Sequence, residues 1–269
     1  MYDFDNGSSP RCPGVYEPGR PRERRPAETH SQDRLGLTDA QGVVGLLASG
    51  GLDSSILLAQ LLKVGRRVKP LYIRSGLCWQ AAEKMALDRY LDAVADRQLE
   101  RLTVLDLPLA DVYGNHWSIT GRNFPEAGTS DQAMSLPGRN VILTIKAALW
   151  CQLHGICELA IGTLGSNPFE DASASFFDQL GHVFAAMGPP IRLVRPFAEL
   201  DKRQVMELGR SFPLGSTFSC ITPRHGGHCG KCNKCAERQA AFRLIGRPDP
   251  TYYANAAAGE LLTADETTA

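Results

Sequence analysis

The chain alternates short apolar runs with longer stretches whose apolar residues recur at helical spacing. An unbroken apolar run at 43–48 (Val-Val-Gly-Leu-Leu-Ala) passes into a polar, glycine-bearing turn at 49–55, and a second apolar run follows at 56–62. That order predicts strand, tight turn and helix. A second strand is expected at 68–74, and helical spacing follows over 81–94 at Met85, Leu87, Leu91 and Val94. Further strands are predicted at 102–107, 157–161 and 191–194, with a long helix over 141–153 that carries an apolar face. Strands alternating with helices at this interval predict an α/β fold, a doubly wound and mostly parallel sheet with helices on both faces. Ligands of such sheets bind beyond the carboxyl ends of the strands. The turns at 49–55, 74–76, 106–111 and 162–165 are therefore expected to share one crevice.

The ends of the chain lack either period. Residues 1–40 are rich in Pro, Gly, Arg and Glu and read as a flexible leader. A basic arm for RNA or a partner protein is the functional alternative, weakened by the interspersed Glu17, Glu23 and Glu28. The expected organisation is leader 1–40, α/β nucleotide domain 41–212, a small cysteine-bearing helical module 213–255, and a flexible tail 256–269.

The turn after the first strand, Ser49-Gly50-Gly51-Leu52-Asp53-Ser54-Ser55, has the chemistry of a phosphate cradle. Two glycines let the backbone turn sharply, two serine hydroxyls follow, and the free N–H groups of a first helical turn carry about half a positive charge. Neither G-x-x-x-x-G-K-[ST] nor G-x-G-x-x-G is present. Arg139 and Asn140 follow Pro137-Gly138 at the expected start of the long helix. There an arginine can grip phosphate or carboxylate, while the pair also fits a Pro-Gly turn with a capping Asn. Cys220, Cys229, Cys232 and Cys235 are spaced x8, x2 and x2, which lets four thiolates enclose one ion and leave no open position. A structural Zn²⁺ site is expected, with an iron–sulfur cluster as the rival; His225 and His228 are superfluous to a complete set. Cys12 reads as incidental, and Cys78, Cys151 and Cys157 as core or crevice residues.

Composition adds exclusions. Across 269 residues the formal net charge is +0, so nothing pulls the whole chain toward nucleic acid or an acidic membrane, and the hydrophobic share of 43% supports a sizeable core. No apolar run reaches membrane-span length and the N-terminus does not read as a signal peptide, so a cytoplasmic protein is expected.

Ser-Gly-Gly-Leu-Asp-Ser resembles the PP-loop of the N-type ATP pyrophosphatases, which split ATP between its α and β phosphates. Together with Pro137-Gly138-Arg139-Asn140, the cysteine set, Glu237-Arg238-x3-Phe242 and Gly246-Arg-Pro-Asp-Pro250, the order resembles the 7-cyano-7-deazaguanine synthase family (QueC or ExsB) over about residues 43–250. The resemblance implies an adenine nucleotide alpha hydrolase-like fold. It also implies an ATP-dependent carbon–nitrogen ligase that adenylates 7-carboxy-7-deazaguanine and uses ammonia to form the nitrile on the queuosine route. In that reading Ser49, Gly50, Gly51, Leu52, Asp53, Ser54 and Ser55 bind ATP, with Asp53 orienting Mg²⁺ or the loop, and Arg139, Asn140, Asn167 and Asp171 meet the substrate. Two segments depart from the family pattern: 74–80 replaces a Tyr-Gly-Gln stretch, and 167–173 replaces Tyr-Pro-Asp-Cys-Arg, leaving Ser173 where an arginine is expected. Arg74 is the candidate to compensate and, with Asp53 and Arg139, completes the expected catalytic set. A QueC-like branch of antiphage defence systems that passes the adenylated acid to a protein amine is an alternative, as is RNA thiolation. A homodimer is compatible with the sequence.

Overall fold

The computed structural model describes residues 42–189 and 191–254; the expected leader with Cys12, and the tail, lie outside them. Five strands form one sheet: β1 (Val43–Leu47), β2 (Arg67–Arg74), β3 (Thr103–Asp106), β4 (Glu158–Ala160) and β5 (Arg192–Val194). Their order is β3-β2-β1-β4-β5 and every pair is parallel. Each strand matches a predicted run to within two residues. The order turns outward in both directions from β1, so the switch point lies between β1 and β4, where a crevice must open.

Alternation within each strand sends side chains to two cores. Val44, Leu46, Val68 and Ala160 face one side and pack with α1 (Leu52–Lys63), whose Ile56, Leu57, Leu58 and Leu61 are buried. Leu71, Ile73, Leu159 and Ile161 face the other and pack with two further helices. These are α5 (Arg139–Leu153) and α6 (Ala174–Ala186). α5 lies against β1 at close range, and a methyl on Gly45 would stand 2.6 Å from the Cys151 sulfur. α2 (Gln80–Ala93) carries the predicted helical segment. The connection from β3 to α5 is a long excursion holding two single-turn helices, α3 (Ala110–Tyr113) and α4 (Trp117–Thr120).

Besides the single-turn α3 and α4, three helices were not read as separate elements in the sequence, although the last of them falls in the module expected to be helical. α6 begins at Ser173, whose hydroxyl accepts the Phe176 N–H at 3.1 Å. α7 (Lys202–Leu208) starts with a capping box in which Asp201 accepts the Gln204 N–H and the Gln204 side chain accepts the Asp201 N–H. α8 (Asn233–Leu244) begins inside the cysteine module and packs on α7 and α1 through Ala241, Phe242 and Ile245.

Candidate active site

The turn after β1 is built by its own side chains. The Ser49 N–H donates to the Ser54 hydroxyl at 3.2 Å, the two hydroxyls meet at 3.0 Å, and the Gly51 N–H donates to Ser49 Oγ at 3.3 Å. Gly50 adopts φ +74° against the α2 backbone, where a Cβ would lie 3.1 Å from that of Leu87, so glycine is required twice over. The Gly50 carbonyl accepts the Phe218 N–H at 2.7 Å, fastening the turn to the edge of the cysteine module. Ser49, Gly51, Leu52, Asp53 and Ser54 open onto a cavity of about 360 Å³, whereas Gly50 and Ser55 lie behind the wall. The Ser55 hydroxyl is buried with no partner among the described residues.

Asp53 sits in the first turn of α1 and is held by Lys202, the first residue of α7, with Nζ 2.7 and 2.9 Å from its carboxylate oxygens. Sequence reading missed Lys202, although the logic that placed the other strand-end turns at the crevice extends to the turn after β5, and Asp201-x-x-Gln204 marks the helix start. On the β2 side stand Tyr72, Trp79, Glu83, Arg139 and Asn140. The Trp79 indole N–H donates to Glu83 Oε2 at 3.1 Å and stacks on Trp117, ring centres 5.7 Å apart. Desolvation raises the Glu83 carboxyl above the ordinary glutamate range, against the opposing pull of Arg139 and the Tyr72 phenol. The Arg139 guanidinium makes no hydrogen bond among the described residues, and its Nε is buried.

Asn140 lines the cavity, but its amide is spoken for: Nδ2 donates to the Asp171 carbonyl and to Asp171 Oδ1, both at 3.1 Å. Asp171 Oδ2 also accepts the Asn140 backbone N–H at 3.2 Å, so Asp171 caps α5 from across the chain and does not itself line the crevice. Asn167 does line it, its Oδ1 accepting the Phe169 N–H at 3.0 Å.

Three expectations need correction. Arg74 does not reach the crevice; it stands opposite Asp106 in the β2–β3 register, and the two side chains form a two-point ion pair in solvent. Residues 74–76, at the end of β2, and 106–111, at the end of the edge strand β3, likewise stay outside the lining; of the predicted turns beyond 49–55, only 162–164 contributes. Ser173 caps α6 and takes no part in the crevice. Cys151 is buried in the core as expected, Cys78 is exposed, and Cys157 is half-buried ahead of β4.

The far wall comes from the cysteine module. Cys220, Cys229, Cys232 and Cys235 are buried with all four sulfurs within 4.8 Å of one another. A tetrahedral thiolate site with bonds of about 2.3 Å needs sulfurs about 3.8 Å apart. Two pairs stand at 3.9 Å. Backbone N–H groups of Thr222 and Cys229 point at the Cys220 sulfur, and those of Lys231 and Cys232 at Cys229, which suits negative sulfur. The set fits a metal ion. His228 is no ligand, since its Nε2 accepts the Ser219 N–H at 3.1 Å, and burial beside Arg238 pushes its imidazole down to about 4. Cys232 caps α8, which carries Lys234, Glu237 and Arg238 into the crevice wall. Nothing in the local sequence marks Glu237 and Arg238 for this position. Arg238 is fully buried, donating to Thr217 Oγ1 and Thr251 Oγ1 at 2.7 Å and to the Leu214 carbonyl at 2.8 Å.

The family model for "Queuosine biosynthesis protein QueC" matches residues 43–246. Similar proteins include 7-cyano-7-deazaguanine synthase 1 of Desulfitobacterium hafniense, 30% identical over 206 residues, covering 75% of this chain and 91% of that one. The 7-cyano-7-deazaguanine synthases of Chlorobium phaeobacteroides and Magnetococcus marinus are 26% and 28% identical, each covering 77% of this chain and 95% of theirs. With the phosphate turn, the switch-point crevice and the four-cysteine wall all inside the matched span, the chain belongs to the QueC family.

Proposed function

We propose that this crevice is the site of an ATP-dependent ligase that adenylates the carboxylate of 7-carboxy-7-deazaguanine and, with ammonia, converts it to the nitrile. A carboxylate is a poor electrophile because hydroxide is a poor leaving group. Attack of its oxygen on the α-phosphorus of ATP expels pyrophosphate, and ammonia then displaces AMP from the acyl carbon, losing a proton, to leave the amide. A second adenylation on the amide oxygen allows loss of AMP and the remaining N–H protons to give the nitrile. The observation that carries this reading is that a phosphate turn and an unpaired guanidinium, Arg139, open onto one cavity.

The residues divide by position. Gly51, Ser49 and Ser54 with the N-terminus of α1 face the departing pyrophosphate, and Lys202 stands beside them to neutralise charge. Asp53 would hold Mg²⁺, which would supply charge to the phosphates. Arg139 offers two parallel N–H groups to the acid, with Asn140 and Asn167 on the same wall. The four thiolates would hold a structural Zn²⁺ that takes no part in the chemistry.

Incubation with α-labelled ATP tests the reading: AMP should form only with the deazaguanine acid present, and Asp53→Ala and Ser49→Ala should abolish its release while circular dichroism is unchanged. AMP that forms without ammonia dependence would point to another amine as acceptor, and AMP dependent on tRNA and a sulfur donor would overturn the assignment.

A further inference from the structure

Four cationic and three anionic side chains line the crevice, and most are already matched. Asp53 pairs with Lys202 and Glu237 with Lys234 at 2.8 Å, while Arg238 is saturated by hydroxyls and a carbonyl beside Asp249. Two charges remain, Glu83 and Arg139, of opposite sign. They feel each other electrostatically, yet among the described residues no hydrogen bond or ion pair joins them. The orphaned Nε of Arg139 is buried. Leaving two opposite charges apart in a half-buried cleft is costly, and it is sustained where a ligand bridges them. Such a ligand has an anionic group at one end and N–H donors at the other.

We propose that Glu83 is a specificity-determining residue that reads the adjacent ring N–H and amino group of a guanine-type heterocycle whose carboxylate is held by Arg139. The inference rests on the ligase reading above and names the recognition edge it lacks. A carboxylate is an acceptor with about four lone-pair sites. Trp79 occupies one at Oε2 and the Tyr72 phenol lies alongside, and because Glu83 lines the cavity the remaining acceptor sites are the ones a ligand there would use. Guanine-type rings present two neighbouring donors, N1–H and the 2-amino group, which fit a carboxylate at two points. Adenine presents one donor beside one acceptor on the same edge, and its ring nitrogen would face a carboxylate oxygen. Glu83 thus selects the acid substrate and keeps the base of ATP out of that end of the crevice.

The test uses wild type, Glu83→Gln, which keeps the shape, and Glu83→Asp, which keeps the charge but shortens the reach. Binding of 7-carboxy-7-deazaguanine and of its analogue lacking the 2-amino group is measured by calorimetry on the Mg²⁺-loaded protein with a non-hydrolysable ATP analogue; AMP formation is followed separately. Wild type should bind the full substrate about ten- to a hundredfold more tightly than the analogue, the worth of a hydrogen bond to a charged group. Glu83→Gln should lose most of that preference, with the Kd for the ATP analogue moving less than threefold. A Glu83→Gln protein that keeps the preference, or one that loses nucleotide and substrate binding together, overturns the proposal. The two readings fail separately: Glu83-dependent binding without AMP formation counts against the ligase chemistry alone, and AMP formation with Glu83-independent binding counts against Glu83 alone. A wild type that binds neither acid overturns the role given to Glu83.

Discussion

Glu83 illustrates how a side chain that serves a site burdens the fold. Burial raises its pKa, so its contribution to stability is full below the ordinary carboxylate range and is lost as pH rises through the raised folded value. As pH rises the buried carboxyl therefore weighs increasingly against the folded state, and Glu83→Gln should raise Tm at pH 8. Near pH 4 the gain should vanish. Calorimetric melts of both proteins across pH 4–8 check the sign, and a Glu83→Gln protein that melts lower at pH 8 would show the carboxylate to be structural. At this scale the sequence was uneven. Ser49, Asp53, Ser54 and Arg139 were legible because glycine turns and helix starts leave local marks. Glu83 and Lys202 were not, since each is one charge among many on a polar helix face, and only the packing of α2 and α7 against the crevice singles them out. Arg74 misled for the same reason: its position at a strand end was visible, its partner across the ladder was not.

Among the elements, strands declared themselves through apolar runs, while α6 and α7 stayed hidden behind aromatic-rich and mixed patterns whose caps, Ser173 and Asp201, were the available signal. Contacts between elements are less legible still. Gly45 looks in sequence like a weak point in β1, but the structure makes it the place where α5 approaches the sheet, 2.6 Å from a Cβ to the Cys151 sulfur. Gly45→Ala should therefore destabilise the protein by about 1–3 kcal/mol through overpacking. Pairing it with Cys151→Ala should return most of that loss, giving a coupling that urea denaturation of the four proteins of the cycle will measure. Simple addition of the two single effects would place the strain elsewhere.

For the molecule as a whole, the four cysteines do more than staple a terminus. They fix the start of α8, and α8 brings Lys234, Glu237 and Arg238 to the crevice. The excursion after β3 is tied to the same knuckle, with the Asn233 N–H donating to the Pro125 carbonyl and the Ala127 N–H to the Lys231 carbonyl. Removing the metal with a strong chelator should thus weaken nucleotide binding at least tenfold as well as lower Tm, and zinc should restore both; intact ATP affinity in the metal-free protein would confine the ion to local stability. The cysteine spacing made the four-thiol cluster readable, but nothing in it told that the cluster would border the phosphate turn.

The hydrogen bond from Phe218 to the Gly50 carbonyl also has a meaning in time. Its two ends are about 170 residues apart, which a ribosome needs roughly ten to thirty seconds to traverse. The phosphate turn thus emerges long before the wall that closes it, and a nascent or prematurely terminated chain presents the turn without a pocket. The crevice is therefore completed only once the last cysteines have left the exit tunnel.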